Sequence, residues 1–401
     1  MNFPTLHRPW SAYKADEISV GDLSVPRYIG EFWTARQRQA KRLHEVPYRA
    51  CFKPQLPAFF IQALTDVHSV VYDPFAGRGT TPITAGLLGR RVISNDINPL
   101  SEVFIRPRLC PPEQADVTSR LLQIPYDYSL RAECDLSMFY DQKTEAEICS
   151  LREYFLWRKE NDHFDNLDAW ILMVATTRLS GHSSGFFSVY TLPPNQALSS
   201  SRQVLINQKR GQTPTYRDTK RLIAKKSQQL LSGLLPDERS ALFESSQTAQ
   251  FLCTDARYTH SIASASVDLT VTSPPFLNVV SYLQDNWLRC WFCGIDARAV
   301  GAQMTPPDLG GWSRVIGDVF IELFRITRPQ GFVAFEVGEV FKGNMRLDEV
   351  VLPLGIAAGF LCEGLVIHKQ AFTKTAHIWG VSNMRGGTNT NRIVVFQKPE
   401  K

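Results

Sequence analysis

Short apolar runs punctuated by glycine turns and amphipathic segments occur in two parts of this chain, with a stretch of different texture between them. In the first part, Val70-Val71-Tyr72 reads as a buried strand and Asp73 to Thr81 as its turn. Pro82 to Leu88 follows as a helix stopped by Gly89, and Arg91 to Ser94 as a second strand ending at Asp96. A strand, a glycine turn, a helix and a strand ending in an acid make a nucleotide-binding βαβ unit. The second part resumes with a strand from Gln250 ending at Asp255, then the apolar run Val267 to Val271. A helix from near Trp312 to Thr327 is closed by Arg328-Pro329-Gln330-Gly331. Further strands are expected over Phe332–Val337, Gly364–His368 and Arg392–Phe396. This alternation predicts an α/β fold, a doubly wound and mainly parallel sheet with a large, mostly helical insert.

The expected division is 1–99, an N-terminal segment and the first part of the sheet domain; 100–249, the insert; and 250–401, the second part of the sheet domain. Within the first segment a polar helix is expected from Glu31 to His44, then a prolyl stretch Tyr48 to Pro57 and a short helix Ala58 to Leu64. The insert shows helical patterning, for example Asp165 to Leu179 with Gly181 as its stop.

Composition changes this picture little. Of 401 residues, 44% are hydrophobic and 21% charged, ordinary for a globular chain with a substantial core. Eight cysteines without framework spacing point to a reducing compartment. The N-terminus lacks a signal-peptide layout, and the apolar stretch Val350 to Ile367 is broken by Pro353 and Glu363. A cytoplasmic location with no membrane partner is therefore expected.

Charge is more informative in its distribution. The net value is +5, yet residues 199–226 carry eight basic side chains (Arg202, Lys209, Arg210, Arg217, Lys220, Arg221, Lys225 and Lys226) against Asp218 alone. Interspersed glycine, proline, tyrosine and amides read as a loop that touches phosphates and bases. A solvated helix face is the plain alternative.

Two motifs carry candidate chemistry. In Asp73-Pro74-Phe75-Ala76-Gly77-Arg78-Gly79-Thr80-Thr81 the glycines allow close backbone approach at a helix N-terminus. Asp96 at the end of the next strand can accept two ribose hydroxyls, and Asp73 can meet a cationic amino group. Adenosine plus an ammonium describes S-adenosylmethionine better than NAD. The other motif is Thr272-Ser273-Pro274-Pro275-Phe276. Consecutive prolines end the ladder and leave an outward carbonyl beside a small hydroxyl and an aromatic face, a clamp for a planar amine. Taken singly, each motif also reads as a structural turn.

Together the two motifs resemble the S-adenosylmethionine-dependent amino-methyltransferases of DNA, and the Ser-Pro-Pro-Phe form resembles their N4-cytosine branch. The resemblance covers roughly residues 46–99 and 250–398. It implies a Rossmann-like methyltransferase sheet. Phe52, Lys53 and Pro54 then lie in a segment closing over the cofactor. Ile97 packs against the adenine ring, and Asp255 contacts the adenine amino group. Arg78 stands where the family usually has serine.

The same resemblance assigns Ser273 Oγ and the Pro274 carbonyl to the amine hydrogens, Pro275 to holding the geometry and Phe276 to stacking on a flipped or single-stranded base. It implies DNA as partner, a cognate restriction nuclease as a further candidate partner, and a prokaryotic or phage-like, nucleoid-associated setting. The insert, with Arg202, Lys209, Arg210, Arg217, Lys220 and Arg221, becomes the candidate target-recognition region. An N6-adenine enzyme, an RNA amino-methyltransferase and a non-catalytic nucleic-acid-binding regulator are the alternatives. No Pro-Cys dipeptide occurs, which argues against C5-cytosine chemistry. Cys290 and Cys293 read as buried helix thiols, and no metal is expected.

Overall fold

The computed structural model describes residues 8–13, 15–21, 23–33, 40–48, 51–192, 199–275, 282–301, 308–337, 339–340, 345–369 and 390–400. Its strands are β1 (Ala15–Val20), β2 (Leu23–Gly30), β3 (Val70–Asp73), β4 (Arg91–Asn95), β5 (Gln250–Leu252), β6 (Val267–Thr272), β7 (Thr327–Val337), β8 (Glu339–Val340), β9 (Met345–Arg346), β10 (Leu361–Lys369) and β11 (Thr390–Gln397). All but β8 and β9, which pair with each other, join one sheet in the order β1-β2-β10-β11-β7-β6-β3-β4-β5.

The helices are α1 (Gln55–Leu64), α2 (Thr80–Leu87), α3 (Leu100–Leu109), α4 (Gln114–Gln123), α5 (Gln142–Glu160), α6 (Asn166–Arg178) and α7 (Ser200–Arg210). They continue with α8 (Thr219–Leu231), α9 (Pro236–Thr248), α10 (Tyr282–Cys293), α11 (Ala297–Gly301), α12 (Leu309–Ile326) and α13 (Leu347–Ala357).

Strand periodicity divides the core into two layers. Val71, Leu269, Val271, Phe332, Ala334, Ile393 and Val395 point into one, with α1, α2 and the insert. Their neighbours Tyr72, Val267, Val333, Phe335, Val394 and Phe396 point into the other, beneath α12 and α13. Both faces are buried, so these strands read as continuous apolar runs. Burying each Val, Leu or Ile side chain contributes about 1.5–3 kcal/mol before entropy is counted.

β5, β4, β3, β6 and β7 run parallel, and β11 lies antiparallel between β7 and β10. The chain leaves β3 towards β4 and β5, then returns to β6 on the opposite side. The order therefore reverses between β3 and β6, where open α/β sheets bind ligands at the strand ends.

Several expectations need correction. Among the described residues of 31–44 there is no α-helix, only a short 3-10 turn at Arg42–His44. The segment before it holds an unexpected hairpin, β1–β2, whose second strand pairs in parallel with β10. Its polar alternation suits a sheet edge, which hides it from a search for buried runs, and Pro26 precedes the Arg27–Gly30 stretch of β2 that pairs with β10. Arg328 to Gly331 is not a turn between helix and strand. It lies within β7, with Gln330 at φ 62° absorbing the irregularity. The insert shares its core with the sheet: Trp170 and Ile171 of α6 belong to the same apolar cluster as Val71.

Candidate active site

The two sequence motifs meet at the β3/β6 switch point. Asp73, 2% exposed, closes β3, and its Oδ1 accepts from the Phe75 backbone N–H at 3.1 Å and the Thr272 hydroxyl at 2.7 Å. Thr81 at the start of α2 donates its hydroxyl to the Val271 carbonyl at 3.0 Å. The Thr272 that binds Asp73 directly precedes the clamp serine, so the two motifs are joined side chain to side chain. Burial pushes Asp73 up to about 7, against the Thr272 and Phe75 donors that favour its charged form. Its carboxyl is thus engaged inside the fold rather than presented outward.

Asp96 is the more outward acid. Its Oδ2 accepts from Gly77 N–H at 2.8 Å and its Oδ1 from Asn98 N–H at 2.9 Å, leaving further lone pairs on both oxygens. Burial raises it to about 6, opposed by those two backbone donors. The glycines divide their work. Gly77, at φ 50°, offers its N–H to Asp96. Gly79, at φ 82°, lies so close to Ile105 of α3 that any Cβ would collide, so it serves helix packing.

Arg78 does not project towards a ligand. It donates to Thr80 Oγ1 at 3.2 Å, to the Val46 carbonyl at 3.1 Å and to the Phe52 carbonyl at 3.4 Å. It therefore ties the segment leading into α1, including Phe52, to the glycine turn. Fully buried Arg108 extends this frame with donors to the carbonyls of Phe104, Leu43 and Arg78. Lys53 lies beside this segment with burial lowering its pKa, and Pro54 caps α1. Pro74 is joined through its carbonyl to the buried Asn95 side chain, which also exchanges two bonds with the Thr254 backbone. Ile97 is half-buried next to Asp96.

Asp255 is engaged locally. Arg257 donates to its carboxylate through the backbone N–H, Nε and Nη2 at 2.7–3.1 Å. Those donors hold Asp255 below its ordinary range despite burial.

The clamp has partners that the sequence did not disclose. Across the β6–β7 ladder from Ser273 stands Glu336, 6% exposed, and Asn391 Nδ2 donates to Glu336 Oε1 at 3.0 Å. The three residues stand on, or just beyond, neighbouring strands β6, β7 and β11. Burial raises the Glu336 pKa, and the Asn391 donor opposes it. Trp312 Nε1 of α12 donates to the Pro275 carbonyl at 3.0 Å. Among the described residues no donor reaches the Pro274 carbonyl. Phe276 and the side chain of Tyr282 lie outside the described residues.

The basic stretch is two helices joined by the non-helical connection 211–218, which holds Pro214, Tyr216 and Arg217, rather than one loop. Ser199 and Asp218 cap α7 and α8 by accepting from Arg202 and Arg221 N–H, which explains why the polar residues there promote helices. Arg202, Lys209, Arg210, Arg221 and Lys225 are exposed. Arg217 and Lys220 are partly buried, the latter donating to the Ile124 carbonyl at 2.6 Å. Cys290 and Cys293 are buried thiols on α10, as expected from their spacing.

Comparison with known proteins bears on this geometry. Residues 12–101, which hold the glycine turn and Asp96, match the family model described as DNA methylase, of N6/N4 type. This stretch carries the DNA amino-methyltransferase signature. The methylase match is joined by 27% identity over 147 residues to the Type II methyltransferase M.MvaI of Kocuria varians, 36% of this chain. The match spans only 28% of that relative's length.

Among solved structures, a putative DNA modification methylase of Thermus thermophilus complexed with S-adenosyl-L-methionine is 21% identical. The match covers 36% of this chain and 53% of that one, with a TM-score of 0.24. The rRNA methyltransferase aviRa of Streptomyces viridochromogenes is 11% identical with a TM-score of 0.36, over 92% and 96% of the two chains. No helix among the described residues is long and apolar enough to cross a membrane.

Proposed function

We propose that the protein transfers the methyl group of S-adenosylmethionine to the exocyclic amine of a DNA base, with cytosine N4 favoured over adenine N6. The observation that carries this reading is the pair of acceptors at the end of β6. The Pro274 carbonyl has no donor among the described residues, and it adjoins Ser273, which neighbours the buried Glu336 across the β6–β7 ladder. A serine accepts from an amine best when its hydroxyl hydrogen is committed elsewhere, and in this reading the neighbouring Glu336 carboxylate takes that hydrogen. Two acceptors on the two amine hydrogens turn the nitrogen lone pair away from the ring. Trp312 and Pro275 fix the backbone that presents them. Positioning of this kind provides much of the rate in transfers that need no covalent intermediate.

The residues present fit the cofactor. Asp96 retains lone pairs for ribose hydroxyls, and Gly77 with Arg78 holds the turn against the Phe52 segment. When bound, S-adenosylmethionine supplies a sulfonium methyl already activated for transfer. As the amine nitrogen gains that methyl it sheds a proton, and Ser273 Oγ can take it only by passing its own hydrogen on, for which the neighbouring Glu336 carboxylate is the acceptor in this reading. Ser273 in place of an acid is what favours cytosine, by resemblance to the Ser-Pro-Pro-Phe enzymes. The exposed cations of α7 and α8 offer a polyanion surface, and a base in a duplex must be flipped to reach the clamp.

The test is incubation of the purified protein with methyl-labelled cofactor and unmethylated DNA or RNA, followed by mass spectrometry of the nucleosides. N4-methylcytosine in DNA is expected. N6-methyladenine would move the assignment to the sister chemistry, and label confined to RNA would overturn the DNA reading.

A further inference from the structure

Arg178, the last residue of α6, is 8% exposed and its guanidinium lies 4.2 Å from the Phe186 ring centroid. Its side chain makes a single hydrogen bond among the described residues, from Nε to Thr177 Oγ1 at a long 3.3 Å, and no ion pair. Its four terminal N–H donors have no protein partner among the described residues. Two further buried cations face it from other helices. Arg289 of α10 is 6% exposed, and Lys226 of α8 is 7% exposed. Each cation acts on Arg178 or is acted on by it, and burial with mutual repulsion holds Arg178 down at about 10 and lowers Lys226.

Little opposing charge acts on Arg178. Glu45, its side chain 54% exposed, accepts from Lys226 Nζ at 3.1 Å and is the only acid among the described residues that acts on Arg178. Asp285 acts on Arg289, behind Tyr48 and two cysteines. The dipole of α6 favours a cation at its C-terminus but leaves those four donors unused. Burying a charge without an ion-pair partner is costly, so Arg178, with two more cations beside it, points to a missing anion. Its position indicates which anion. α10 is the helix that follows the clamp, and Arg289 Nη2 donates to the Pro47 carbonyl at 3.1 Å, beside the segment that Arg78 ties to the cofactor turn.

We propose that Arg178, Arg289 and Lys226 form an anion site, between the insert and the clamp helix, that takes a phosphodiester of the bound polynucleotide next to the base presented to Ser273. The planar fork of Arg178 suits phosphate oxygens, while Arg289, already bonded to Asn286 and Pro47, and Lys226 add positive charge. The inference rests on the proposed nucleic-acid reading for the identity of the anion, but not for the existence of the site.

Two measurements on the full chain test it. Melting is followed with and without millimolar inorganic pyrophosphate, and duplex DNA binding is titrated across salt concentration. The wild type should melt higher with pyrophosphate. Arg178→Met should melt higher than wild type without the anion and lose the pyrophosphate shift. It should also bind DNA about tenfold more weakly near 0.1 M salt, with a log–log salt slope smaller by about 1. Cofactor affinity should not change. Lys226→Met should reduce the slope similarly, and it carries the test if the arginine variant does not fold. A variant that melts lower while keeping the pyrophosphate shift and the DNA salt slope would overturn the proposal and make Arg178 a packing residue. A wild type that shows the pyrophosphate shift, lost in Arg178→Met, yet binds no DNA would support the anion site while removing the DNA reading.

Discussion

The two halves of the site are built in opposite ways. At the cofactor turn the acids are held mostly by backbone N–H groups close in sequence: Asp73 by Phe75, Asp96 by Asn98 and by Gly77 across the βαβ turn. At the clamp the support comes from remote side chains: Glu336 and Asn391 behind Ser273, and Trp312 behind Pro275. A binding turn can be encoded within one βαβ unit because its backbone supplies the donors. An amine clamp needs acceptors that stay unfilled, so its rigidity has to be imposed from outside the motif. Removing clamp residues should therefore cost rate, and removing turn residues should cost cofactor affinity.

The largest expected effect is on the clamp side. Glu336→Gln should lower single-turnover methyl transfer by about 10²-fold, the scale of losing one acid–base partner, with cofactor affinity unchanged. It should also abolish the acid limb of the pH–rate profile, because the raised Glu336 no longer titrates. Retention of that limb would assign it to another group. On the turn side, Asp96→Asn should weaken cofactor binding by roughly 10-fold or more, the cost of a charge-assisted hydrogen bond, as read by calorimetry. Saturated turnover should change far less. If rate and affinity fall together in both variants, the division between the halves fails.

A smaller effect concerns pH and folding. Burial raises Asp73 to about 7 and Asp96 to about 6, so the folded protein holds protons that the unfolded chain has released. The stability this confers is complete below the ordinary carboxylate range and is lost as pH rises through 6 to 7. Denaturant titrations of the cofactor-free protein should show lower stability at about pH 8 than at about pH 5. Asp73→Asn should narrow that difference, and a pH-independent midpoint in the wild type would contradict the account. The smallest effect is expected for Trp312→Phe, which keeps the packing but loses the bond to Pro275. A loss of about 1 kcal/mol in stability is predicted, with a measurable fall in transfer rate.

This contrast also explains what could be read from the chain. The βαβ unit, Asp96 after its second strand and the strand that stops at Ser273-Pro274-Pro275 were legible because local patterning fixes them. Glu336 was not, because in Phe332–Val337 it is a lone acid in an apolar strand whose meaning depends on which strands become its neighbours. Trp312 read only as the start of a helix. Arg78 read as a departure of unknown effect until its three acceptors were located. The β1–β2 hairpin was missed because edge strands lack the apolar runs that mark the sheet centre. The basic stretch was recognised by charge, but its helices were obscured by the polar residues that cap them.

The most direct test of the central claim is Ser273→Ala, measured for cofactor affinity by calorimetry and for methyl transfer to DNA in a single turnover. The account predicts unchanged affinity and a rate lower by about 10²-fold, since one of two amine acceptors is gone. Wild-type transfer by the variant would show that Ser273 does not position the amine.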